Sequence, residues 1–458
     1  MTKSVQSLAT KSSLWIWYGL LAYLPLHIFL STWIGTNFGV LPAAKVAKDV
    51  VLLMGFLLAL LANFLNKDSS WKMLLKDSLV KIILAYGLLN LVLVLVRPTD
   101  GDAELLGLVY NTRFLLFFLF VILLSKIIDQ EQLRVRSTTI VLTVAVPVLL
   151  FGIFQYTLLP NNALTHIGYS RENGVLPAFF IDDKPDLERV MSTLRDPNSF
   201  GSYLLIIGAL GLTLLFKKPK SIVSSHFYFP LILTLLTTMC LWFTFSRSAW
   251  LGFMLMTIVV GWLAHKRQTS HIVKRFAIPL FVGIVVVVGV LVTQRNSYFV
   301  QNIVFHADQS TVLEDPNQLR ARFWRESLTN ITNDPIGSGP GTAGLTSIRN
   351  DLQGVKLNEN YYLQIASELG VLGLVLFLGI VIIVAKRLHS QAVSGDWLAI
   401  AVFASFVGLV ITNFFVHIWS NEAVAYTWWG LATLLIITSS SQGVNSKFIN
   451  NLKCVKGF

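Results

Sequence analysis

Two groups of residues in this chain have the types and spacing to handle an anionic substrate. The first is the run Asp315-Pro316-Asn317-Gln318-Leu319-Arg320-Ala321-Arg322-Phe323-Trp324-Arg325-Glu326-Ser327-Leu328-Thr329-Asn330-Ile331. At about 100° per residue, Leu319, Phe323, Trp324, Leu328 and Ile331 share one helical face, and Arg322 and Arg325 project from the other. Arg320 falls inside the apolar face, where it either meets an anionic partner or reaches to the lipid surface. A surface helix with a cation–π pair is the bland alternative. The guanidinium presents fixed, bidentate donors of the kind phosphate oxygens select. The second group is Asn358-Glu359-Asn360-Tyr361-Tyr362-Leu363-Gln364. Here Glu359 has three readings: a general base on a hydroxyl, a holder of that hydroxyl, or the partner of an arginine.

Between the two groups lies Asn333-Asp334-Pro335-Ile336-Gly337-Ser338-Gly339-Pro340-Gly341. Its alternate glycines either expose backbone N–H groups to an anion or make ordinary turns. Three more arginines stand out. In Arg195-Asp196-Pro197-Asn198-Ser199 the proline and asparagine suit a helix start, which leaves Arg195 unexplained. Arg247 lies in the tight hairpin Thr244-Phe245-Ser246-Arg247-Ser248, where headgroup anchoring competes with ligand binding. Arg113 sits within an apolar run, and a charge at such depth is costly enough to be a functional candidate. No Asp/His cluster has metal-ligand spacing, so a metal-independent reaction with no cofactor is the simpler expectation.

The elements that must carry these residues follow from composition. Of 458 residues 54% are hydrophobic and 13% charged, against roughly 25% charged in an ordinary globular domain. The mean hydropathy of +0.65 arises from long apolar runs. Twelve segments, near 14–34, 47–65, 78–97, 104–125, 137–159, 199–216, 226–244, 248–264, 276–293, 361–385, 396–415 and 422–438, fit the roughly 30 Å hydrocarbon core. They do not alternate as barrel strands would, so they are expected to be helices. A soluble enzyme, a disordered tail protein and a secreted disulfide scaffold are excluded. The expected fold is an all-α polytopic membrane protein of about twelve transmembrane helices, with a large extracytoplasmic loop containing short helices.

The net charge of +12 has no basic block or aromatic–basic repeat behind it, so nucleic acid is not the expected partner. The charges fall between apolar runs. With the N-terminus inside, inner segments hold twenty Lys and Arg against four on the short outer loops and their edges. Both termini are therefore expected in the cytoplasm. Lys3 and Lys11 precede the apolar stretch from Leu14 with no small-residue cleavage site after it, so that stretch reads as a retained span. Cys240 and Cys454 are too far apart in the expected topology for a disulfide or metal reading to lead. Two long loops, 160–198 and 294–360, fall outside, and loops of that length are commonly functional. The chain divides into a transmembrane bundle over 1–293 (about nine spans, with the outer loop 160–198), the large extracytoplasmic loop 294–360, and a C-terminal transmembrane region over 361–458 of about three spans.

Four stretches in order, RDPNSFGSYL (195–204), FTFSRSAWLGF (243–253), RARFWRESL (320–328) with NDPIGSGPG (333–341), and ENYYLQIASELGVLGLVLF (359–377), together resemble the O-antigen ligase and polymerase superfamily of bacterial envelope proteins. The resemblance implies a glycosyltransferase that moves a glycan from an undecaprenyl-pyrophosphate carrier to a glycan acceptor at the outer face of the plasma membrane. Arg195, Arg247 and Arg320 would hold the pyrophosphate, with Arg322, Arg325, Arg113 and Asn360 as further binding positions. Glu359 and Arg320 would be the catalytic pair. Ligases of this superfamily characteristically carry His where this chain has Glu359, and that departure favours a polymerase of O-antigen- or capsule-type repeat units over a ligase. A transporter or flippase is the reading from another class. It calls for repeated halves and paired midplane charges, and the sequence offers little beyond Arg113 and Glu368.

Overall fold

The computed structural model describes residues 2–66, 71–98, 102–181, 184–216, 228–265, 293, 316–349 and 358–436. The chain is an all-α polytopic membrane protein. Its helices are α1 (Thr2–Tyr23), α2 (His27–Phe38), α3 (Leu41–Leu65), α4 (Ser78–Val96), α5 (Asp102–Leu124), α6 (Gln130–Leu158), α7 (Pro197–Phe216), α8 (Tyr228–Phe243), α9 (Arg247–His265), α10 (Pro316–Asn333), α11 (Gly344–Arg349), α12 (Tyr361–Ser394) and α13 (Trp397–Thr412). A last helix, α14, covers 422–436. Among the described residues, eight helical stretches are long and apolar enough to cross a membrane, and α8 and α13 are shorter apolar helices. The first stretch is longer than the expected 14–34: it runs from Lys3 to Phe38 across one 3-10 turn at Leu24–Leu26, where Pro25 lacks a donor for a continuous helix. The expected span near 276–293 lies outside the described residues apart from Thr293.

Side-chain caps set several helix starts. Asp77 accepts from Leu79 N at 2.8 Å, Asp129 from Gln132 N at 2.8 Å, and Asp396 from Leu398 N at 2.9 Å. Two of these caps also pair with arginines of other helices. Arg387 on α12 grips Asp77 at 2.7 and 2.9 Å, and Arg134 on α6 meets Asp396 at 2.6 Å.

The interior is built around α5 and α7. Helix α7 is buried along most of its length because it is apolar all round and packs against α8, α9 and α13. Around α5, Phe114, Phe117 and Phe118 join Trp17, Tyr426 and Trp429 in a fully enclosed aromatic cluster. Where α9 crosses α13 the backbones almost touch: a Cβ on Gly408 would lie 2.7 Å from the Gly252 carbonyl oxygen, so small residues are required at that crossing.

Two arrangements position the site. The connection between α6 and α7 contains an antiparallel hairpin, β1 (Phe179–Ile181) with β2 (Lys184–Arg189), and a separate small core of Leu164, Tyr169, Val175 and Met191. The glycine-rich loop after α10 docks into a kink in α12 at Gly370, whose φ is 68°. Ser338 N and Gly339 N donate to the carbonyls of Ser367 and Glu368, each at 2.9 Å, and Pro335 O accepts from Val371 N at 2.9 Å. These N–H groups are spent on the protein's own backbone, which matches the ordinary-turn reading of this part of the loop. A Cβ at Gly337 would run into the backbone of Gly370 and Glu368, so the glycines serve close approach. Beneath them Glu368 is fully enclosed, accepting from Asn111 Nδ2 at 2.6 Å and Ala343 N at 3.2 Å.

Candidate functional site

Helix α10 packs against α12, and Trp324 faces the Phe415 ring with centroids 6.2 Å apart. Leu328, expected on this face, is 53% exposed, while Ser327 is 5% exposed. The buried stripe is rotated by about one residue, since Ser327 Oγ accepts from the buried Asn358 Nδ2 at 2.9 Å. That rotation brings Arg320 inward. Its Nε and Nη2 lie 2.9 and 2.8 Å from Glu359 Oε2, so the arginine has the anionic partner that is one of its sequence readings.

Glu359 is held by its neighbours. Asn358 also donates to Ser367 Oγ at 3.0 Å, and Asn360 Oδ1 caps α12 by accepting from Tyr362 N and Leu363 N at 2.9 and 3.1 Å. Between these two anchors Glu359 adopts φ 40°, a left-handed backbone that a non-glycine residue takes at a cost of about 1–3 kcal/mol. Asn360, expected to bind substrate, thus has its side-chain oxygen committed to the helix cap.

Arg320 and Glu359 line a cavity of about 210 Å³ together with Arg195, Asp196, Asn198 and Ser199 from the start of α7 and residues from 415 to 422. The α7 start is rigid: Asp196 accepts from Ser199 N at 2.9 Å and from Ser199 Oγ at 2.6 Å. The 415–422 segment is fixed by Asn413, whose Oδ1 accepts from Trp419 N at 3.2 Å and whose carbonyl accepts from Tyr361 N at 2.9 Å. One asparagine therefore ties this segment to the start of α12, beside Glu359.

Glu422, another lining residue, meets Arg113 Nη1 at 2.9 Å and Lys48 Nζ at 3.3 Å, and Arg113 Nη2 donates to Ser420 O at 2.6 Å. Arg113 also lies 4.0 Å from the Tyr110 ring centroid. Arg113, expected to bind substrate, is absent from the cavity lining and has its charge balanced by Glu422.

Arg247 is the first residue of α9 and does not line the cavity. It borders a cluster that sequence reasoning missed, centred on Arg189 at the end of β2. Arg189 Nε donates to Thr244 O at 3.1 Å and Nη2 to Asn198 Oδ1 at 3.0 Å; Asn198 Oδ1 also accepts from Ser246 Oγ at 2.9 Å. Burial pushes the Arg189 guanidinium down to about 10; Asp196 opposes that and Arg247 adds to it. Positive charge thus gathers from three segments. Arg322 and Arg325 face away, exposed, and with Gln318 and Ala321 line a separate shallow cavity of about 430 Å³. Arg322 faces Glu326 at 3.8 Å.

His417 is another cavity residue that sequence reasoning passed over. Both its ring nitrogens are withdrawn from solvent and have no hydrogen-bond partner among the described residues, and burial pushes the ring down to about 4. It is therefore a neutral imidazole on the cavity wall. Its only sequence signal was a histidine in the short connection between two apolar runs. Among the described residues, no group of three or more His, Cys, Asp or Glu is placed to hold a metal ion.

Residues 231–378, which include Arg247, Arg320, Glu359 and the first half of α12, match the family model described as O-antigen ligase. The match supports the O-antigen ligase/polymerase superfamily and a role of that type for this chain. No curated protein matches the sequence.

Proposed function

We propose that the protein transfers a glycan from an undecaprenyl-pyrophosphate-linked oligosaccharide to an acceptor hydroxyl at the outer face of the plasma membrane, polymerising repeat units. The observation that carries this reading is the convergence of Arg195, Arg320 and Glu359, from three distant parts of the chain, on one cavity. Glycosyl transfer from a pyrophosphate needs fixed cations where negative charge develops on the leaving group, and preorganised donors supply them without reorganisation. Arg195 and Arg320 hold the pyrophosphate, with Arg189 and Arg247 extending the positive surface on one side. Glu359 positions Arg320 and orients the acceptor hydroxyl. The excess of Lys and Arg in alternate loops supports cytoplasmic termini and an extracytoplasmic site.

A second reading is a ligase that attaches finished glycan to a lipid or protein, and the description of the matching family model favours it. One assay separates the two. Purified protein in nanodiscs receives a lipid-linked repeat unit and no other acceptor. A ladder of products spaced by one repeat, lost in Arg320→Ala, supports the polymerase. Donor binding without a ladder supports the ligase. Absence of both overturns the transfer reading.

A further inference from the structure

Resting on that transfer reading, we propose that Asn198 is a further substrate-binding residue, whose side-chain NH2 group donates to a phosphate oxygen of the lipid-linked donor. An asparagine at a helix start commonly serves as its cap, but here that role is taken by Asp196, which accepts from Ser199 N at 2.9 Å. The Asn198 side chain is committed elsewhere. Its Oδ1 accepts from Arg189 Nη2 at 3.0 Å and from Ser246 Oγ at 2.9 Å. A guanidinium can only donate, so the branch of the amide that faces Arg189 is the oxygen. The NH2 group is thereby fixed on the opposite branch.

Asn198 lines the cavity that Arg195, Arg320 and Glu359 share, whereas Arg189 and Ser246 do not. The oxygen therefore points behind the wall, and the nitrogen is the polar edge left on the cavity side. No described residue accepts from Nδ2, and unlike the ring nitrogens of His417 it is not enclosed. Its setting suits an anionic acceptor. Two donors on Oδ1, one of them charged, polarise the amide and strengthen its N–H groups. Asn198 also belongs to the first turn of the 20-residue α7, where the partial positive charge of a helix gathers. Arg195, three positions earlier, lines the same cavity. The carboxylate nearest in sequence, Asp196, has both its oxygens bonded to Ser199.

Asn198→Asp separates substrate contact from packing. It keeps an oxygen for Arg189 and Ser246 and exchanges the NH2 group for a second oxygen that cannot donate. Its unfolding temperature is expected to equal or exceed that of wild type, because Arg189 gains a charged partner. Its affinity in nanodiscs for the lipid-linked donor, and for inorganic pyrophosphate, is expected to fall about 10–100-fold, the loss of one hydrogen bond to a charged group. The comparison is repeated at about 1 M salt, where screening leaves only interactions within about 3 Å. A deficit that persists there comes from contact and supports the assignment; one that vanishes is remote repulsion and overturns it. Unchanged affinity shows an amide that is merely hydrated, and a fall for the donor alone places the NH2 group on the sugar; either overturns the phosphate contact. A lower unfolding temperature would mean that the NH2 group is already bonded within the protein, and overturns it too. All of these leave the transfer reading intact. A wild-type protein that neither binds nor consumes the lipid-linked donor overturns both.

Discussion

Arg320 meets Glu359 twice on a single oxygen, Nε at 2.9 Å and Nη2 at 2.8 Å from Oε2, across 39 residues of sequence. The pair joins α10 to the turn that opens α12, so it both closes the cavity and sets the arginine's direction. Arg320→Ala is expected to lower transfer by about 10²–10³-fold, the loss of one preorganised donor at a developing negative charge. Arg320→Lys should recover little, because a point charge cannot make both contacts. Glu359→Gln and the double variant complete a cycle whose coupling in kcat/KM should be about 0.5–3 kcal/mol, as for residues in direct contact. Strictly additive losses would show that the two act independently.

The Arg113–Glu422–Lys48 cluster predicts a different phenotype. Arg113 is 6% exposed and Glu422 13% by side chain, so removing the arginine leaves an enclosed carboxylate with Lys48 as its remaining cation. Breaking such a pair costs about 3–5 kcal/mol, whereas replacing both partners by apolar residues is often neutral. Arg113→Leu should therefore lower the unfolding temperature sharply, and Arg113→Leu with Glu422→Leu should regain most of it. Donor affinity per folded molecule should be unchanged in Arg113→Leu. Loss of affinity at unaltered stability would return Arg113 to the binding site.

What the sequence revealed and what it concealed follow from range. Most span positions were legible because a run of about 20 apolar residues is a local signal. The inward turn of Arg320 was legible as a conflict between its charge and its helical face. Leu328 was placed wrongly because periodicity cannot anticipate that Asn358, far along the chain, will draw Ser327 inward. The glycine-rich loop was ambiguous for the same reason: its role depends on Gly370, which kinks α12 within a run that reads as continuous helix. Arg189 gave almost no local signal, since its partners Thr244 and Asn198 are brought to it only by folding.

The Asp77–Arg387 pair should make stability depend on acidity. Burial by itself would raise the Asp77 carboxyl, but hydrogen bonds from Arg387 and the Leu79 N–H outweigh it and hold the group below its ordinary 3.8. A depressed carboxylate contributes stability that is complete above its unfolded value and is lost as pH falls through the folded one. Asp77→Asn should therefore be less stable than wild type at neutral pH by about 1–2 kcal/mol, the scale of a charge-assisted hydrogen bond. The gap should close below pH 3.8. Thermal unfolding across that range checks it, and a gap that persists in acid would assign the pair no electrostatic role.

Arg189 carries the most informative trade-off. Its guanidinium is half-buried, bonds the neutral Thr244 carbonyl and Asn198 amide, and feels Arg247, which disfavours its charge, against Asp196, which only partly offsets burial. An arginine remains charged at any ordinary pH, so this arrangement costs the empty protein stability. An anion bound against it would repay that cost, as a ligand that binds only the folded state raises stability by mass action. Arg189→Gln, which can still donate to both acceptors, should raise the unfolding temperature of the ligand-free protein. It should also weaken the stabilisation that inorganic pyrophosphate or the lipid-linked donor confers on wild type. If Arg189→Gln is instead less stable when empty and responds to pyrophosphate as wild type does, Arg189 is a structural strut between β2 and the α8–α9 hairpin, and the anion site rests on Arg195 and Arg320 alone.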